Sequence, residues 1–145
     1  MGTFARRAVV KRPRALLFGL MQDYSRRLEW DPFLSEARLV GAEAAGLGVR
    51  AWCVDHAGRG METEYVSFQP PERVAVKMTR GPWMFRAFAG SWVYEEVGPD
   101  ETSVVFRYHV ESSIPGTSGL LTRVFARRMD ARMAGMVAAL ERAAG

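Results

Sequence analysis

The chain has 145 residues, 48% of them hydrophobic and 25% charged, with 20 basic and 16 acidic side chains and a net charge of +4. A single cysteine, Cys53, excludes an internal disulfide framework and a multi-cysteine zinc site. The apolar content excludes disorder and suits one domain spanning residues 1–145, a size that buries about 70% of its unfolded surface without a staple.

Thr3 to Lys11 is rich in β-branched and aromatic residues and predicts a strand. Pro13 can occupy the first turn of a helix that continues through Ala15 to Met21. Asp23 can cap a second short helix through Arg27 and Glu29, which ends at Trp30-Asp31-Pro32 because a residue before proline avoids the helical region. The apolar run Ala15 to Met21 falls far short of the roughly 20 residues that span a bilayer, and no hydrophobic signal core follows the N-terminus. The expectation is a cytoplasmic protein without integral membrane association.

From Leu34 onward, strand-like runs alternate with turn signals at a spacing of roughly 10 residues. The runs are Leu34–Val40, Val49–His56, Met61–Phe68, Arg73–Thr79, Trp83–Glu96 and Thr102–Glu111. Such close spacing implies antiparallel meander connections rather than βαβ units. After the break at Pro115-Gly116, Leu121, Phe125, Met129, Met133, Met136, Val137 and Leu140 share one wide face of a long C-terminal helix. The predicted architecture is α+β: a seven-stranded antiparallel sheet, two short helices after the first strand, and the last helix lying across the sheet.

These elements carry motifs that resemble the helix-grip fold of the SRPBCC (START and Bet v 1-like) superfamily. They are Pro13 with Leu17-Phe18 and Asp23, then Trp30-Asp31-Pro32-Phe33 and Gly48-Val49-Arg50. Gln69-Pro70-Pro71-Glu72-Arg73-Val74, Gly90-Ser91-Trp92 and the Gly98-Pro99-Asp100 hairpin complete the set. The nearest branch resembles the polyketide cyclase/dehydrase and lipid-transport group. That resemblance implies a cavity between sheet and helix for an apolar or amphipathic molecule such as a lipid, quinone or polyketide. It does not imply catalysis, since fold does not decide function.

Period-2 counting places Phe88, Trp92 and Tyr94 on one face of the sixth strand, and Phe106 and Tyr108 on one face of the seventh. With Phe125, Met129, Arg132, Met133 and Met136 of the last helix they form the expected ligand-binding wall. The alternative for the methionines is plain core filling, and for a tyrosine tip a backbone hydrogen bond. Arg132, at the border of the apolar stripe, can meet a ligand carboxylate or phosphate at the cavity edge.

Four residues are candidates for acid–base chemistry: Glu62, Glu64, Asp55 and Tyr108. The two glutamates alternate in phase with Val66 and Phe68. If those apolar residues point inward, the glutamates face the cavity and one can serve as general base in an aldol-type cyclisation; in the opposite register both face solvent. The two readings of function are therefore a binding or transfer module and a polyketide cyclase or dehydratase. A protein-partner role is a third.

The two histidines, His56 and His109, lack a third ligand at useful spacing, so no metal is expected, and no cofactor. Gly46-Leu47-Gly48 precedes a strand rather than a helix, which excludes a dinucleotide fingerprint. The arginines of the last helix scatter around it and argue against nucleic acid. Oligomeric state is left open.

Overall fold

The computed structural model describes residues 2–145. Seven strands form one antiparallel sheet: β1 (Thr3–Val10), β2 (Leu34–Val40), β3 (Arg50–Asp55), β4 (Gly60–Gln69), β5 (Arg73–Arg80), β6 (Phe85–Gly98) and β7 (Glu101–Ser112). Their spatial order is β1-β7-β6-β5-β4-β3-β2. The chain thus meanders from β2 to β7, and β1 closes onto β7. Helix α1 (Arg14–Gln22) and a 3₁₀ segment (Tyr24–Glu29) carry the chain from one sheet edge to the other. Helix α2 (Ser118–Ala143) packs on β1, β7 and the 3₁₀ segment. This is the helix-grip arrangement.

The local chemistry explains the boundaries. Pro13 stands just before α1 with an extended ψ of 146°, and its carbonyl accepts from Leu17 N–H. The Asp23 carboxylate accepts from Ser25 N–H and caps the second helix, which is 3₁₀ rather than α. β6 begins at Phe85, two residues later than expected, because Phe85 N–H turns back onto the Pro82 carbonyl.

The largest departure from simple alternation lies in β4. Its pairing with β5 shifts register twice, between Glu62 and Thr63 and between Tyr65 and Ser67. The second bulge leaves Val66 exposed and rotates Phe68 inward, edge-on to Tyr65 with centroids 5.4 Å apart. Val66 and Phe68 therefore do not share a face, because a bulge inserts one unpaired residue and breaks the period of two.

The core fills the space between α1, α2 and the concave face of the sheet. Val10, Leu17, Met21, Val104 and Leu140 are fully buried there. Each such side chain contributes roughly 1.5–3 kcal/mol of transfer free energy. The core does not extend along the whole of α2, and the remaining space forms the site.

Candidate functional site: an aromatic cavity with a buried ion pair

A cavity of about 800 Å³ lies between the sheet and α2. Phe88, Trp92, Phe106 and Tyr108 line it from β6 and β7, and Phe125, Met129, Arg132 and Met136 line it from α2. All eight were expected in the wall from strand and helix periodicity. Two other expected residues lie elsewhere. Tyr94 is buried beyond the cavity, where its hydroxyl accepts from Gln22 Nε2 at 3.0 Å and meets Met21 Sδ. Met133 packs partly buried against the core and does not line the cavity. Tyr94 is kept out because α1 covers that end of the sheet, and Phe18 seals it by stacking edge-on against Tyr94 and Phe68.

The walls brace one another. Phe125 stacks at 5.4–5.8 Å on Phe4, Phe88 and Tyr108, which ties α2 to three strands. Trp92 Nε1 donates to the Tyr108 hydroxyl at 3.1 Å. Gly90, opposite Tyr108 in the β6–β7 register, gives that ring its space: a Cβ there would come within 2.9 Å of Tyr108 Cε1.

The acidic candidates divide clearly. On β4, Met61, Thr63 and Tyr65 face the cavity, so Glu62 and Glu64 lie on the other side of the strand. Glu62 is buried there by its neighbours; its carboxylate accepts from Thr79 Oγ1 at 2.7 Å and sits 3.7 Å from Arg50 and 3.9 Å from Arg80. Glu64 is opposite Arg50 and Lys77 in the strand registers. Neither glutamate enters the cavity. Asp55 reaches it only at the exposed edge with His56, Ala57 and Arg59. There the Asp55 carboxylate accepts from Ala57 N–H, Arg59 N–H and Arg59 Nε. Partial burial pushes Asp55 up, but the Arg59 and Ala57 donors outweigh it and hold the carboxyl below its ordinary value. His56 is engaged with the Pro32 carbonyl at 3.0 Å.

The polar centre of the cavity is one that alternation and motif reading did not find. Arg27 and Asp31, one helical turn apart, form a buried ion pair with Nε 2.8 Å from Oδ2. Asp31 Oδ1 accepts from Phe33 N–H. The Arg27 guanidinium carbon lies 4.8–5.1 Å from the ring centres of Tyr24, Trp30 and Trp92. Arg27, Asp31, Tyr24, Trp30, Cys53 and Tyr65 all line the cavity. Burial works against the Arg27 charge, but Tyr24 and Asp31 more than compensate and raise its pKa well above the ordinary value. Burial pushes the Cys53 thiol up, with Arg27 opposing. The available signal was the i, i+4 spacing of Arg27 and Asp31 directly before a proline, which reads equally well as a surface pair.

Burial is also the main reason that all four tyrosines, Tyr24, Tyr65, Tyr94 and Tyr108, are raised above the ordinary 10.0, with Tyr108 pushed up to about 12. The sign follows from linkage. A phenol whose folded pKa exceeds its unfolded one contributes stability that is fully present below about pH 10 and is lost as pH rises through the folded value. Between pH 10 and about 11 the folded protein is therefore expected to show little phenolate absorbance in the ultraviolet. At higher pH, phenolate should appear together with loss of circular dichroism. Phenolate formation in a protein that keeps its native dichroism would contradict this burial.

An apolar chamber gripped between a curled antiparallel sheet and a C-terminal helix defines a START-like ligand-binding fold. The chain belongs to the polyketide cyclase/dehydrase and lipid transport family, whose model matches residues 1–143. Among solved structures, it is similar to a START superfamily protein from Mycobacterium smegmatis at 12% identity and TM-score 0.79, covering 98% of this chain and 96% of that one. It is similar to the Zhui aromatase/cyclase from Streptomyces sp. R1128 at 14% identity and TM-score 0.74, covering 98% and 92%. It also resembles the ginseng major latex-like protein 151 from Panax ginseng at 14% identity and TM-score 0.68, covering 97% and 95%. At these identities the likeness is one of fold. No curated protein matches the sequence. Among the described residues, no helix is long and apolar enough to cross a membrane.

Proposed function

We propose that the protein binds and carries an apolar or amphipathic small molecule in the cavity between the sheet and α2. The observation that carries this reading is the lining itself: aromatic and methionine side chains around about 800 Å³, with both cavity carboxylates held by arginines. Aromatic walls supply contact area at little entropic cost, and methionines adapt to irregular shapes. Asp31 and Asp55 are already engaged by Arg27 and Arg59, and for Asp55 those donors hold the carboxyl below its ordinary value, against the basicity a general base requires. This favours binding over an aldol-type cyclisation. Family membership supports the same class of ligand.

Native mass spectrometry of protein purified from several expression hosts tests the proposal. The expected result is a population carrying a small-molecule adduct that organic extraction releases. Clean ligand-free spectra from every host, together with no uptake of an added apolar fluorophore, would overturn it.

A further inference from the structure

Two donors of cavity-lining residues have no acceptor among the described residues: Arg27 Nη1 and Trp30 Nε1, both shielded from solvent. The residues that bear them are 8% and 3% exposed, and both line the cavity. They lie together, since the Arg27 guanidinium carbon is 4.8 Å from the Trp30 ring centre. A buried donor left unpaired is costly, and native proteins pair the great majority of them. Two of the nearby polar side chains are committed elsewhere. Asp31 accepts from Arg27 and from Phe33 N–H, and the Tyr65 hydroxyl donates to Gln22.

We infer that Arg27 and Trp30 form the polar subsite of the bound ligand, and that they receive an uncharged acceptor oxygen, such as that of a ketone, quinone or ester. The inference rests on the binding reading above and names the ligand group that this reading leaves open. The choice of an uncharged oxygen follows from charge. Arg27 is already compensated by Asp31, so a carboxylate or phosphate brought beside the pair would leave one buried negative charge without a partner. A carbonyl oxygen takes the free N–H groups without adding charge. Arg128 and Arg132 are exposed at the cavity edge and have no ion-pair partner among the described residues, so an anionic group would settle there instead.

Three naphthalene probes separate the possibilities: 2-acetylnaphthalene, 2-ethylnaphthalene and 2-naphthoate. Affinities are read by quenching of tryptophan fluorescence. A purely apolar cavity binds the ethyl compound best. The wild-type protein is expected to prefer the acetyl compound over the ethyl compound by about tenfold or more, as for a hydrogen bond to a charged donor. Arg27→Met together with Asp31→Asn removes the donor and keeps the residue 31 contact to Phe33 N–H, so the variant should fold and lose the preference for the acetyl over the ethyl compound, whatever its absolute affinity for either. Trp30→Phe should reduce that preference partly. Equal or reversed preference in the wild type would overturn the inference, as would a preference that survives in the double variant. Tightest binding of 2-naphthoate with dependence on Arg27 would overturn the uncharged assignment. Failure of all three probes would count against the binding reading itself, which keeps the two failures distinct.

Discussion

Replacing Arg27 alone with methionine is expected to cost about 3–5 kcal/mol of folding stability, because Asp31 is then buried without its cation. The side chains of the pair are only 10% and 7% exposed, so little solvent reaches Asp31 to replace the lost partner. Loss of the guanidinium also removes its stacking on Tyr24, Trp30 and Trp92, each such contact being worth on the order of 0.5–2 kcal/mol. The informative comparison is the double variant with Asp31→Asn. Removing both charges of a buried pair is often close to neutral, so most of the loss should be recovered. Urea denaturation with an unchanged m-value measures both. A single variant within about 1 kcal/mol of wild type would mean that the pair is solvated, contrary to its burial.

Truncating Phe106 to alanine is the second large effect, at about 3–5 kcal/mol. Phe106 is 2% exposed on β7, faces Trp92 across the β6–β7 register, and meets its ring at 6.1 Å. It belongs both to the core and to the cavity wall, so its loss enlarges a space that the fold already leaves open. Trp92 then loses one support, and its hydrogen bond to Tyr108 should loosen. Affinity for an apolar probe is expected to fall along with stability. Val97→Ala is the control: this side chain is 43% exposed, and its truncation should change stability by no more than about 0.5 kcal/mol. Equal effects of the two substitutions would contradict the assigned packing.

How far the sequence can be read depends on which interactions are local. The hairpins from β2 to β7 were legible because turn residues such as Gly98-Pro99-Asp100 punctuate runs with a period of two, and those successive strands pair in space, whereas the closure of β1 onto β7 has no local signal. The apolar stripe of α2 was legible for the same reason, and it correctly placed Phe125, Met129 and Met136 beside the aromatic strand residues. Where the account of the site departs from the sequence reading, the cause is non-local. The side of β4 on which Glu62 lies is set by pairing with β5 and by bulges, which composition does not mark. Tyr94 has the right phase for the cavity, yet α1 occupies that end of the sheet. Arg27 looks like a surface residue in sequence. Only the docking of the 3₁₀ segment under α2 and beside Trp92 encloses it.

The central claim, that ligands occupy the space between the sheet and α2, is tested most directly by methyl NMR of methionine. Met61, Met84, Met129 and Met136 line the cavity, whereas Met21, Met78 and Met133 do not. Titration with 2-acetylnaphthalene is expected to shift the first set, Met129 and Met136 most strongly, and to leave Met21 and Met133 in place. Shifts confined to Met21, Met78 or Met133, or binding that moves none of the cavity methyls, would contradict it.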